Sequence, residues 1–242
     1  MRIIEAKDYE DMSRKAAAII GAQVLLKPNC ALGLATGTTP IGAYNQLIDW
    51  YKQGYLDFSR VSSYNLDEYR GLSHDDPQSY HYFMNEHLFS HINIDIEATH
   101  VPDGSNPNAE EACSSYDALV EAAGYVDLQL LGIGNNGHIG FNEPAAAFAA
   151  GTQCIDLTES TIEANSRLFD HIEDVPRQAY TMGVGTIMRA RRVLLIANGP
   201  KKAQAIYDTV RGPVTPEVPA SALQLHPDCT IVADSEALAL LK

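Results

Sequence analysis

The sequence predicts an α/β protein, Rossmann-like and doubly wound: a mostly parallel sheet with helices on both faces. Three observations lead there. Short apolar runs bounded by turn residues recur along the chain, too short for helices. Amphipathic helical patterns alternate with them, which implies parallel strands joined by crossovers. The 242 residues, 45% of them hydrophobic, suffice for a sizeable core.

The elements follow in order. "DYEDMSRKAAAIIGAQVLL" (8–26) reads as an opening helix and "CALGLA" (30–35) as the first buried strand. "PIGAYNQLIDWYKQG" (40–54) has Pro in its first turn and Gly at its end, the expected punctuation of a helix. "VSSYNL" (61–66) is a strand, "PQSYHYFMNEHLF" (77–89) and "NAEEACSSYDALVEAAG" (108–124) are helices, and "DLQLLGI" (127–133) is a strand. "TQCIDL" (152–157) is a weaker strand. "RRVLLIA" (191–197), "KKAQAIYDTVRG" (201–212) and "CTIVAD" (229–234) complete the pattern as strand, helix and strand. Alternation is less clean over 158–190, which is expected to form a flap over the site. With no repeat or low-complexity linker, residues 1–242 are expected to form one domain. In such folds ligands sit outside the carboxyl ends of the strands.

The formal net charge of −14 disfavours nucleic acid and anionic membranes as partners. No apolar run approaches the length of a membrane span, and "MRIIEAKDYE" is unlike a secretion signal. A cytoplasmic location is expected. Cys30, Cys113, Cys154 and Cys229 are scattered, with no C-x-x-C, and read as reduced packing residues.

"LLGIGNNGHIGFNEP" (130–144) spells G-x-G-x-x-G at Gly132, Gly134 and Gly137. A dinucleotide site needs a helix next, and Gly140, Asn142 and Pro144 break it. A better anion site is "LGLATGTTPIGAY" (32–44), where Thr36, Gly37, Thr38 and Thr39 lead through Pro40 into a helix. A helix N-terminus offers free N–H groups and partial positive charge. No lysine completes a Walker pattern, so a single phosphate suits it better than a nucleotide; an ordinary capped helix is the plain alternative. Asp67 and Glu68 in "NLDEY" follow a strand, where carboxylates serve as a base, a metal ligand or a cap. His138 and Glu143 share the glycine loop, and a carboxylate beside a histidine can fix its tautomer for proton transfer. There is no G-x-S-x-G elbow. His87 and His91 lack the Glu of H-E-x-x-H and read as packing residues; His226 has no ligand spacing, and no metal is expected.

Together "LGLATGTTP", "NLDEYRGL", "GIGNNGHIGFNEP", "ANSRLF", "TMGVGTIM" and "ASALQLHP" resemble, in order and over essentially the full length, the glucosamine-6-phosphate deaminase (glucosamine-6-phosphate isomerase) family. The resemblance implies conversion of D-glucosamine 6-phosphate and water to D-fructose 6-phosphate and ammonium in amino-sugar catabolism, with no cofactor. It implies that Asp67 moves the proton from C2 to C1. His138 would open the sugar ring, with Glu143 and Asn136 as its catalytic companions. Thr36, Gly37, Thr38, Thr39, Arg167 and Lys202 would hold the phosphate, and Glu68 and Gly137 would touch the substrate. Lys201 neighbours Lys202, but the register with the following "KA" favours Lys202.

Two departures stand out. Asn136 replaces the Asp common in the family, and its carbonyl is expected to accept a hydrogen bond from the imidazole. Allosteric members carry basic residues after the loop, where this chain reads "AAGTQCIDL", with Gln153 and Ile155. A short, non-allosteric type, unresponsive to N-acetylglucosamine 6-phosphate and monomeric rather than oligomeric, is therefore expected. The alternatives are a 6-phosphogluconolactonase, which would need no carbon base, and a non-catalytic sugar-phosphate sensor, for which residues 1–29 leave no room for a DNA-binding domain.

Overall fold

The computed structural model describes residues 1–159, 162, 171 and 175–242. In chain order its strands and α-helices are β1 (Arg2–Ala6), α1 (Tyr9–Leu26), β2 (Ala31–Leu34), α2 (Ile41–Lys52), β3 (Ser62–Asn65), β4 (Asp67–Tyr69), α3 (Tyr80–His87), β5 (Thr99–His100), α4 (Ala109–Ala122), β6 (Leu128–Leu131), β7 (Gln153–Asp156), β8 (Gln178–Thr181), α5 (Val184–Ile187), β9 (Val193–Ala197), α6 (Ala203–Arg211) and β10 (Cys229–Asp234). Every strand and helix expected from the sequence is present, with ends shifted by a few residues.

The large sheet runs β1-β10-β9-β6-β2-β3-β5, and its pairings are parallel throughout. The chain first winds from β2 through β3 to β5. It returns on the other side of β2 with β6 and moves outward through β9 to β10, which pairs at the edge with the first strand, β1. Winding thus reverses between β2 and β6, which opens a crevice there. Strands buried on both faces need continuous apolar runs, and every residue of β2, β6 and β9 is buried.

Local signals start the helices. The Asp8 carboxylate accepts the Asp11 N–H at 2.8 Å and caps α1, a contact typically worth about 1 kcal/mol. Ser79 and Asn108 cap α3 and α4 in the same way. The apolar stripe of α1, including Met12, Ala16, Ile20 and Val24, then packs into the core under the sheet.

A second sheet, β4-β8-β7, is antiparallel. The weak strand at 152–157 is real, but it belongs here and not to the parallel sheet. Of the expected flap over 158–190, residues 160–161, 163–170 and 172–174 lie outside the described residues, and its C-terminal part holds β8 and α5. β8 is the middle strand of the small sheet, with Ala179 and Tyr180 fully buried, and α5 follows directly.

Cys30, Cys113 and Cys229 are buried and Cys154 is half-buried, all as free thiols. His226 is a buried structural residue, bonded to the Ala190 carbonyl and the Asp228 N–H. His87 packs against Phe83, and His91 bonds the Glu86 carbonyl.

Candidate active site

A cavity of about 480 Å³ opens at the carboxyl ends of β2 and β6, where the winding reverses. One end is the threonine loop. The chain leaves β2, turns through Thr36, Gly37, Thr38 and Thr39, and enters α2 behind Pro40, all of them lining the cavity. Tyr9 of α1 braces the turn: its hydroxyl donates to the Thr38 carbonyl at 3.1 Å and accepts the Gly42 N–H at 2.9 Å. Thr39 Oγ1 reaches Asn198 Oδ1, 3.4 Å away beyond β9. Lys202, just before α6, brings its half-buried ammonium to the same cavity. Burial pushes the Lys202 pKa below the lysine range, a cost that an arriving anion offsets. Arg167 lies outside the described residues.

Asp67 opens β4 in the cavity wall and is 6% exposed. Among the described residues no hydrogen bond reaches its carboxyl. Burial pushes its pKa up to about 8, and the neighbouring Glu68 charge pushes the same way. Such a carboxyl is a base available to whatever occupies the cavity.

Glu68 is not there. Strand alternation turns it away from Asp67 and into the protein. It is fully buried, and its two oxygens accept the N–H groups of Tyr69, Tyr80 and His81 at 2.8, 2.9 and 3.0 Å. The expectation that Glu68 touches substrate is therefore corrected: the carboxylate is occupied in capping α3.

The glycine loop after β6 supplies the other wall. Ile139 and Asn142 form an isolated antiparallel bridge that folds it back. His138, Asn136 and Glu143 line the cavity. His138 Nδ1 is 3.2 Å from Glu143 Oε1, a charge contact by distance that lacks hydrogen-bond geometry, and Nε2 is left for other partners. A Cβ on Gly134 would fall inside contact distance of the imidazole, so only glycine lets the ring lie there. Gly140 adopts a left-handed φ of 57°, and a Cβ there would sit 3.3 Å from Asp67 Oδ2. The loop is thereby drawn against the carboxyl.

Asn136 corrects the second expectation. Its amide donates to Glu143 Oε2 at 2.6 Å, and its carbonyl accepts the His138 backbone N–H at 3.2 Å, not the imidazole. The partners fix which end is which: a carboxylate needs a donor and an N–H needs an acceptor. Gly137 is also off the cavity. Its carbonyl accepts the Ala220 N–H at 2.9 Å, and its α-carbon faces Val218.

Sequence reasoning missed the aromatic wall. Tyr80 and Phe141 line the cavity with rings stacked 6.1 Å apart. Phe141 sat inside the glycine-loop motif, whereas Tyr80 had no signal beyond its place after the Ser79 cap. Thr181 was missed as well; its Oγ1 accepts the Phe141 N–H at 3.0 Å and ties the loop to β8. Among the described residues, no cluster of three or more His, Cys, Asp or Glu side chains could hold a metal ion. None of the described helices is long and apolar enough to cross a membrane.

A doubly wound sheet with a helix terminus, a lysine, a buried carboxyl and a His–Glu pair in one crevice defines an α/β protein built for proton transfer on a small anionic molecule. The family model described as glucosamine-6-phosphate isomerases/6-phosphogluconolactonase matches residues 7–232, and the chain belongs to that family. A glucosamine-6-phosphate deaminase of Lachnoclostridium phytofermentans is 60% identical over 96% of this chain and 98% of its own length. One from Thermoanaerobacter pseudethanolicus is 53% identical over 100% and 95%. The solved structure of a monomeric glucosamine-6-phosphate deaminase superposes with a TM-score of 0.96 at 44% identity, covering 99% of this chain and 100% of that one. A Trypanosoma cruzi 6-phosphogluconolactonase, with TM-score 0.80 but 18% identity over 100% of this chain and 97% of its own, shares the fold alone.

Proposed function

We propose that this chain converts D-glucosamine 6-phosphate and water to D-fructose 6-phosphate and ammonium. The observation that carries the reading is the placement of Asp67, a buried carboxyl free of described hydrogen bonds, in one cavity with the His138–Glu143 pair. The deaminases at 52–60% identity over nearly the whole chain support it.

The chemistry runs as follows. The phosphate docks on Thr36–Thr39 and the α2 terminus, with Lys202 and Arg167 as cations. His138, held by Glu143 and Asn136, takes the proton from the C1 hydroxyl and delivers one to the ring oxygen, which opens the pyranose. Asp67 then removes the C2 proton and returns it to C1, while one proton passes from the amine nitrogen to O1, leaving an imine at C2. Water adds to the imine carbon, the C–N bond breaks, and nitrogen departs as ammonium. One carboxyl on one face of the sugar serves both carbon transfers. Proton transfer, addition and elimination need no electron acceptor. We read the chain as acting as a monomer, like the 44% identical deaminase described as monomeric. A cytoplasmic setting follows from a charged sugar phosphate that does not cross membranes unaided.

Ammonium and fructose 6-phosphate release from glucosamine 6-phosphate tests the reading, with chelator present and no nucleotide. Equal yields, lost in Asp67→Asn, are expected. No ammonium from the wild type would overturn it, and hydrolysis of 6-phosphogluconolactone would then favour the lactonase.

A further inference from the structure

We propose that Glu68 is a positioning residue that clamps the N-terminus of α3 to β4 and is the first of the two neighbouring carboxyls, Glu68 and Asp67, to ionise. The inference rests on the reading of Asp67 as the carbon base.

The geometry is that of an anion hole closed over a carboxylate. Three backbone N–H groups converge on Glu68, one from β4 and two from the first turn of α3. All three are donors, so they favour the ionised form. The α3 terminus adds partial positive charge. Gly104 lies against the Glu68 side chain, where a Cβ would crowd its Cγ at 2.9 Å, and the side chain is fully buried. The clamp has a consequence in the cavity. Tyr80, whose N–H it holds, carries the ring that packs on Tyr69 at 4.8 Å and on Phe141. Glu68 thus fixes the aromatic wall facing the substrate without touching the substrate.

Asp67, next in the chain, has none of these donors. Of two adjacent buried carboxyls, the one with three N–H donors gives up its proton first and the other keeps it longer. Burial raises Glu68 to about 7 against the pull of its N–H partners, while burial and the Glu68 charge raise Asp67 to about 8. The groups facing the pair are Tyr69 on β4, Asp76 before α3, Tyr80 and His81 on α3, Tyr116 on α4, and His138 across the cavity. Asp76 acts on Glu68 in the same raising direction as burial. Burial is the larger cause of the raised Asp67 pKa, and the Glu68 charge adds to it.

The test reads the carboxyls directly. The 13C carboxyl resonances of Asp67 and Glu68 are followed with pH in the full chain, with Asp67 assigned by its loss in Asp67→Asn. In the wild type, Glu68 should ionise at lower pH than Asp67. In Glu68→Gln, Asp67 should ionise at least about one pH unit lower, and the acid limb of kcat/KM should move down with it. The substrate amine titrates identically in both proteins and cancels. Glu68→Asp keeps the charge but shortens the clamp, so Asp67 should stay high while the Tyr80 and His81 amides exchange faster. These titrations need no turnover, so they decide the proposal even if no ammonium is released. Glu68 ionising above Asp67 in the wild type, which requires no Glu68 variant to fold, or an unmoved Asp67 in Glu68→Gln, would overturn it.

Discussion

Asn136 and Glu143 are joined by a 2.6 Å hydrogen bond from the amide to Oε2, while the other Glu143 oxygen faces His138 Nδ1 at 3.2 Å. The asparagine therefore acts on the carboxylate and only through it on the imidazole. A neutral donor can approach an ionised carboxylate this closely; a second carboxylate can do so only by sharing a proton.

That relationship makes Asn136→Asp informative. At low pH the pair would share one proton and keep the Asn136 geometry. At higher pH a second negative charge would form beside the ring and favour the charged imidazole. The pH dependence of kcat should differ from that of the wild type, with KM little changed. An identical profile would show that the ring does not sense charge at position 136.

Gly134→Ala tests whether the imidazole needs the space over that α-carbon. The added methyl would overlap the ring. A catalytic group displaced by about 1 Å can lose about a hundredfold in rate. We expect kcat to fall by at least about tenfold, with KM and melting temperature nearly unchanged. A fall in KM affinity with kcat intact would instead place the loop in binding.

Much of this was legible in the chain and part of it was not, for identifiable reasons. β2, β6 and β9 read clearly because strands covered on both faces must be apolar throughout. The threonine loop read clearly because glycine, proline and a following helix punctuate it. β4 did not: it is three residues long and begins with two carboxylates, poor strand formers made into a strand by pairing with β8. Missing that strand hid the alternation that sends Asp67 to the cavity and Glu68 beneath α3. The partner of Asn136 was equally hidden, since loop spacing does not say which of two nearby polar groups an amide meets.

A second cavity, of about 260 Å³, lies on the other side of the catalytic loop and includes Asn142, Glu143, Phe148 and Gln153. No lysine or arginine lines it among the described residues. Gln153 is instead turned towards Asn142 Oδ1, 3.4 Å away. A phosphorylated effector would find no charge partner there. Adding N-acetylglucosamine 6-phosphate should leave the half-saturating substrate concentration unchanged apart from simple competition. A marked decrease would show an activating site.

Lys202→Met should separate binding from chemistry. Lys202 lines the same cavity as the threonine loop and Asp67 but is far from Asp67 in the chain. Losing a charge-assisted contact to phosphate costs about 1.5–3 kcal/mol, which corresponds to roughly a ten- to hundredfold rise in KM. kcat should change by less than about threefold, and inorganic phosphate should inhibit the variant more weakly. A fall in kcat with KM unchanged would move Lys202 from the phosphate to the reacting carbons.

Asp67→Asn should remove activity and stabilise the protein, with a pH dependence whose sign follows from the raised pKa. The unfolded carboxyl titrates near 3.8, and the folded one near 8. Between these values the folded state binds a proton that the unfolded state has released, so stability falls as pH rises. The stability that Asp67 contributes is fully present below about pH 4 and is lost as pH passes through 8. Asparagine carries no such proton, so the variant should match the wild type at low pH and exceed it by a few kcal/mol near pH 8. Denaturant melts at pH 5 and pH 8.5 measure this directly. Glu68, still present in the variant, retains its own smaller slope in the same direction. A stability difference independent of pH would mean that the folded carboxyl ionises as it does in water, and would remove the physical basis for Asp67 as the carbon base.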